Sequence, residues 1–278
     1  MGKYNARKRK TKKNIGFRVV CLCAVVFCLW LFSTFTLKTT NSEIISSKVN
    51  DTITIAHITD LHGLNFGINN SSIIKRIEKS NPDFIAVTGD MYTNHTDDGK
   101  ETALKLMKQL AEKYTVYYVN GEHDNDEDFL IQLENYGVHV INYLYEDIRI
   151  GSTDIRVYGI NNVYYSSTFD LNNEFTLDKS KYNILLAHSC NKEAFASFGV
   201  DLCLCGDTHG GQVRLPFIGG VYGSSGWFPE MKDKNAFVKG VYKCENTDFF
   251  ISSGLGNYPL PIRFLNRPEV AIIKITPG

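Results

Sequence analysis

Five times along this chain an apolar, β-branched run stops abruptly at a polar cluster. The runs are TITIAHITDLHG, DFIAVTGDMY, YTVYYVNGEHD, YNILLAHSC and DLCLCGDTHGG. They end, in order, at Asp60 and His62, at Asp90, at Glu122, His123 and Asp124, at His188, and at Asp207 and His209. Short apolar runs closed by turn residues predict buried strands. Between the early strands the spacing becomes helical. Ile73, Ile74 and Ile77 share one face of 68–79, and Leu104, Met107, Leu110 and Ala111 share one of 102–113. Phe129, Leu130 and Leu133 suggest a third helix. Strand–helix–strand alternation implies a mostly parallel sheet. From Tyr143 to Tyr158, and again from Ala236 to Ile275, strands follow one another directly, which predicts a second sheet with antiparallel pairs. The expected fold is α/β, a four-layer α-β-β-α sandwich of two mixed sheets with helices outside.

The start of the chain follows a different rule. NARKRKTKKN precedes IGFRVVCLCAVVFCLWLFSTFTL, residues 15–37, roughly long enough to cross a bilayer as a helix. Nine of the 30 Lys and Arg lie in residues 1–38, which hold no acid, so 21 bases face 30 acids in the remainder. The formal net charge of +0 therefore averages a basic tail with an acidic body. Bases ahead of the apolar run predict a cytoplasmic N-terminus and an extracytoplasmic body, with Arg18 snorkelling near the inner face. An uncleaved transmembrane helix is favoured over a cleaved signal peptide, because no small-x-small site closes the run. It is also favoured over a lipoprotein signal, because Cys21, Cys23 and Cys28 lack small residues before them. The expected division is 1–14 basic cytoplasmic tail, 15–37 transmembrane anchor, 38–50 Ser-rich stalk and 51–278 folded domain. An acidic body disfavours nucleic acid as a partner. Outside the membrane disulfides are permitted. Cys203 and Cys205 share a strand face and cannot readily bond each other; a bridge to Cys190 or Cys244 and four free thiols both stay open.

In open sheets of parallel strands, ligands gather at the carboxyl ends of the strands. Each polar cluster alone is a weak signal; their shared placement is a strong one. His95 and His139 lack such context, and His57 reads as a packed strand residue. The order Asp-x-His, Gly-Asp, Gly-Glu-His-Asp, His, Gly-Asp-x-His resembles that of the calcineurin-like metallophosphoesterases, from about Thr52 to the C-terminus. GDTHGGQ and SSGLGNYPLPIRFLNRPEV resemble a bacterial, membrane-anchored phosphodiesterase subgroup in which GHTHGGQ is typical. The resemblance implies two divalent metals. One would be held by Asp60, His62, Asp90 and His209. The other would be held by Asp90 as a bridge, with Glu122, His188 and Asp207. His123 matches the catalytic histidine beside the phosphate, which is not a ligand. Asp124 could orient it, or cap a turn.

Two positions depart from the family pattern, Glu122 in place of Asn and Asp207 in place of His. Both replacements are oxygen donors, adding up to two negative charges, which favours Mn, Fe, Mg or Ca over Zn at the second metal. The implied activity is that of a phosphoric ester hydrolase using a metal-activated hydroxide at the outer face of the membrane, on phosphodiesters or phosphomonoesters. Position at the membrane makes lipid or cell-envelope phosphate esters the natural substrates. The alternative is a catalytically impaired metal-binding surface domain acting in binding or sensing. YGSSG, Tyr222 to Gly226, lacks the flanks of a nucleophile elbow. The loop from Gly219 to Met231 either shapes a substrate groove or packs on its own Trp227 and Phe228. Arg263 is expected in a structural salt bridge rather than on phosphate.

Overall fold

The computed structural model describes residues 2–93, 97–223 and 226–278, and the side chains of 15–93, 99–223 and 226–278. It opens with a long helix, α1 (Gly2–Phe35), whose stretch Ile15–Phe35 is long and apolar enough to cross a membrane. The five predicted runs are strands β2 (Ile53–Ile58), β3 (Phe84–Thr88), β4 (Val116–Val119), β8 (Tyr182–Ala187) and β9 (Leu202–Cys205). The predicted helices are α2 (Ser71–Ser80), α3 (Asp97–Ala111) and α4 (Glu127–Asn135). Asp126 caps α4 by accepting from the Phe129 N–H at 2.9 Å, satisfying one of the free donors of the first turn.

Two sheets assemble from these and the remaining strands. The first has the order β1 (Lys38–Ser46), β16 (Glu269–Pro277), β2, β3, β4, β5 (His139–Val140). Within it β2, β3, β4 and β5 run parallel, while β16 is antiparallel to β2. The second has the order β14 (Gly240–Cys244), β15 (Thr247–Ile251), β9, β8, β7 (Thr153–Ile160), β6 (Leu144–Ile150). Its centre is parallel and both edges are antiparallel hairpins. Two short ribbons, β10 (Arg214–Leu215) with β11 (Gly219–Gly220) and β12 (Tyr222–Gly223) with β13 (Gly226–Trp227), follow β9.

Why the strands read as unbroken apolar runs is now plain: both faces are covered. Ile55, Phe84, Ala86, Tyr117 and Val119 meet Ile184, Leu186, Leu202 and Leu204 between the sheets. The alternate residues Ala56, Ile58, Ile85, Val87 and Tyr118 pack under α2, α3 and α4. Leu185, Ala187, Cys203 and Cys205 face outward onto Phe195 and Phe198 of α5 (Lys192–Phe198). Cys190, Cys203, Cys205 and Cys244 are free thiols, Cys190 lying against Cys205.

The stretch expected to be a stalk, 38–50, is different. Most of it is β1, zipped in parallel to β16 from Lys38 opposite Glu269 to Ser46 opposite Pro277. Its polar alternation is that of an edge strand, with Ile44 as the one buried residue.

Candidate metal centre

The carboxyl ends of β2, β3, β4, β8 and β9 point to one place, and the backbone there is forced. Asp60, His62, Asp90, Asp207 and His209 all adopt left-handed φ, between 48° and 69°. For residues with a Cβ this conformation costs about 1–3 kcal/mol each, a cost tolerated where side chains must be aimed. Glycine backbone closes the wall behind Asp60. Gly254 has φ +66°, and a Cβ on it would lie 2.7 Å from the Cβ of Asp60.

Two groups of donor atoms result, Asp60 with His62 and His209, and Asp60 with Asp90 and His188, each within 4.8 Å of one another. Asp60 therefore belongs to both, where the sequence pointed to Asp90 as the bridge. Asp90 still reaches both sides, its Oδ2 lying 3.3 Å from His188 Nε2 and 3.9 Å from His62 Nε2. His209 Nε2 lies 3.7 Å from Asp60 Oδ1 and 3.3 Å from His62 Nε2. The orientations are fixed from behind. His188 Nδ1 bonds the Thr88 carbonyl at 2.7 Å, and His62 Nδ1 meets Thr93 Oγ1 at 2.9 Å.

Charge in this cluster is one-sided. Burial, reinforced by Asp90 and Asp207, pushes Asp60 up to about 7. Burial likewise raises Asp207. Burial pushes His62 down to about 3 and His209 well below the ordinary imidazole value, so both rings are neutral. Burial works against charge on His188 too, yet Asp90, bonded to it, and Asp60 raise it well above its ordinary value. Three carboxyl groups, Asp60, Asp90 and Asp207, thus crowd around His188. Asp60 Oδ2 is buried with no hydrogen-bond partner among the described residues. An orphaned carboxylate oxygen and two neutral imidazole nitrogens turned toward each other suit a divalent cation.

The two departures sit apart from both groups. Asp207 is half-buried, accepts from Ser189 Oγ at 2.7 Å, and donates its N–H to Asp60 Oδ1 at 3.2 Å. Glu122 Oε2 accepts from Tyr164 Oη at 3.1 Å, and Oε1 lies 3.3 Å from His123 Nε2. The His123 N–H donates to Asp90 Oδ1 at 3.0 Å. Asp124 is a turn organiser: it accepts from Tyr118 Oη, the Met91 N–H and the Gly121 N–H, all at 2.6–2.8 Å.

A pocket of about 140 Å³ opens over the cluster, lined among others by Asp90, Glu122, His123, Asp207, Tyr222 and Tyr258. The sequence reading had not singled out Tyr258. Its ring stacks on His62 at 4.9 Å and meets His123 edge-on at 4.4 Å. The signal for it lay in the quoted NYPLP stretch, where an aromatic sits between loop-forming residues. Tyr222 and Gly223 of the 219–231 loop reach the pocket, with Trp227 packed on Tyr222 at 5.2 Å.

Arg263 makes no salt bridge among the described residues. It is fully buried and its guanidinium binds the carbonyls of Ser253 and Gly256 and Asn257 Oδ1. His57 is buried in β2, and His139 pairs with Glu146 at 2.9 Å. His95 and the serines of YGSSG lie outside the described residues.

The family profile for calcineurin-like phosphoesterases matches residues 53–211, from the start of β2 through His209. The chain belongs to the calcineurin-like phosphoesterase family. Members use divalent metals, and the clusters around Asp60 are candidate ligand groups for them. Among curated relatives, the uncharacterized metallophosphoesterase YkuE of Bacillus subtilis is 27% identical over 239 residues, 79% of this chain and 76% of that protein. The protein F40B5.2 of Caenorhabditis elegans is 28% identical over 246 residues, 81% of this chain. The chain spans about half the length of that relative, 48%. The phosphodiesterase YaeI of Escherichia coli is 32% identical over 93 residues, 33% of this chain and 32% of that protein.

Proposed function

We propose that this calcineurin-like phosphoesterase is a metal-dependent hydrolase of phosphate esters, held by α1 at the outer face of a membrane. The observation that carries the reading is the pair of donor groups sharing Asp60. Asp60, His62 and His209 would hold one divalent ion, and Asp60, Asp90 and His188 a second, with Asp207 and Glu122 outside both groups. When bound, such ions supply Lewis acidity, which brings the pKa of water from 15.7 toward about 7 and offsets phosphate charge.

The chain's own residues do the rest. Asp90 fixes the His123 backbone through Oδ1, and Tyr258 braces the rings of both His62 and His123. His123 Nε2 carries the proton given to the leaving oxygen, and Glu122 Oε1 faces that atom. A general acid in this role contributes about 10²–10⁴-fold. Thr88 and Thr93 keep the Nε2 atoms of His188 and His62 aimed inward.

The test is turnover of bis-p-nitrophenyl phosphate across Mn²⁺, Fe²⁺, Mg²⁺, Ca²⁺ and Zn²⁺, with bound metal measured in parallel. His123→Ala is expected to keep its metal and lose turnover by about 10²–10⁴-fold. Asp90→Asn is expected to lose metal as well. Equal turnover by wild type and Asp90→Asn would refute the assignment. One observation favours a second reading: Glu122 and Asp207 stand outside both donor groups. A chain that binds metal and turns over no phosphate ester would be a surface domain for binding or sensing.

A further inference from the structure

The end of α1 is docked on the loop that walls the catalytic pocket. Ser33 and Thr34 are buried. Thr34 Oγ1 exchanges hydrogen bonds with the backbone N–H and carbonyl of Arg263, each at 3.2 Å. Ser33 Oγ accepts from the Leu265 N–H at 3.0 Å. Arg267 donates to the carbonyls of Thr36 and Leu37, and its guanidinium lies 4.6 Å from the Phe32 ring centroid.

The same loop has two faces. Tyr258 and Pro259 line the catalytic pocket. Asn257 and Pro261 line a cleft of about 520 Å³ at the end of α1, together with Phe32, Phe35, Arg76 and Arg267. No more than about 14 Å of extended chain separates Pro259 from Arg263. Between and beyond them Leu260, Ile262 and Leu265 are 58%, 40% and 45% exposed. Phe217 is fully exposed on the β10–β11 turn, which joins this loop through the Arg214 N–H and the Phe264 carbonyl at 2.9 Å. Apolar side chains beside a catalytic pocket and beside the exit of an apolar helix are placed where headgroups meet acyl chains.

We infer that the catalytic pocket opens at the bilayer surface and that its substrate is the phosphate ester of a membrane lipid, with Leu260, Ile262 and Leu265 seated among the headgroups. This rests on the function proposed above and on α1 spanning the membrane. In the reaction the oxygen of water bonds to phosphorus and the bond from phosphorus to one ester oxygen breaks. One proton of the water ends on that leaving oxygen, which departs as an alcohol, and no oxidant or reductant enters.

The test uses the full chain in vesicles of equal parts phosphatidylglycerol, phosphatidylethanolamine and phosphatidylcholine, with phosphorus NMR reading cleavage. Leu260→Glu with Ile262→Glu is compared with wild type on these vesicles and on bis-p-nitrophenyl phosphate. The pair of charges is expected to cut lipid cleavage roughly tenfold or more by opposing insertion, while the water-soluble ester is cleaved as before. Separately, Leu260→Trp is expected to fluoresce with quenching by brominated phospholipid beyond the wild-type background. Uncleaved lipid, or equal lipid cleavage by the variant, overturns the inference when the soluble ester is turned over. So does Leu260→Trp fluorescence quenched no more than wild type. If wild type cleaves neither ester, the proposed function itself fails and this inference falls with it.

Discussion

Replacing Arg263 by Met tests whether one buried guanidinium holds the pocket wall. Met keeps similar length and removes every donor. Four acceptors then lose partners: the Ser253 carbonyl at 2.7 Å, the Gly256 carbonyl at 2.6 and 3.1 Å, the Asn266 carbonyl at 3.5 Å, and the half-buried Asn257 Oδ1 at 3.0 Å. A buried acceptor left unpaired costs about 1–3 kcal/mol, so the gross loss over the three buried carbonyls is about 3–9 kcal/mol. Burial already works against this charge, drawing the guanidinium down to about 10 even beside Asp60 and Glu269. An apolar replacement recovers part of that desolvation, a few kcal/mol. The net expectation is a loss of about 3 kcal/mol. For a body of this size that is a drop in Tm of about 6–12 °C, read by thermal melting in one detergent with one metal concentration. Arg263→Lys retains a charge but lacks the fork, and should fall between the two. A Tm within about 2 °C of wild type for Arg263→Met would refute the idea that these bonds hold the loop.

Other consequences are equally open to measurement. Glu122→Asn together with Asp207→His should raise affinity for Zn²⁺ relative to Mn²⁺, read by metal competition, because two oxygen donors are exchanged for softer ones; unchanged selectivity would exclude both residues as ligands. Gly254→Ala should lower stability and metal affinity together, since the added methyl meets Asp60; an unperturbed protein would mean the two loops move apart freely. Burial opposes charge on Glu269, yet Lys239 and Lys38 hold it down at about 2 against an ordinary 4.5. A depressed carboxyl stabilises above its unfolded pKa and loses that contribution as pH falls through the folded one. The advantage of wild type over Glu269→Gln, about 3 kcal/mol by linkage, should therefore be complete above pH ~4.5 and shrink toward pH ~2. A difference that stays flat from pH ~5 to ~2.5 contradicts the assignment.

Much of the site was legible because strand ends announce themselves. An apolar run covered on both faces must stop where the sheet stops, so Asp60, Asp90, His123, His188 and Asp207 mark their own positions in sequence. What stayed hidden depends on distant partners. The strand of 38–46 shows polar alternation, and its mate β16 begins more than two hundred residues later, at Glu269. Nothing local separates such an edge strand from a linker. Arg263 was read as half of a salt bridge because a lone charge in a loop ordinarily seeks an acid; four converging backbone and amide oxygens have no sequence signature. That Asp60 belongs to both donor groups is a matter of side-chain aim, which no local pattern in the sequence records.

Only Thr36 and Leu37 stand between α1 and β1, so the body has no slack with which to swing outward. Any drag on the apolar helix is delivered to the rim of the first sheet along the direction of its strands. In that shear geometry the rungs between β1 and β16 share the load at once instead of peeling one by one. If α1 spans a membrane as proposed, a phosphoesterase fastened this way patrols a plane, and molecules more than one body-length above it are out of its range.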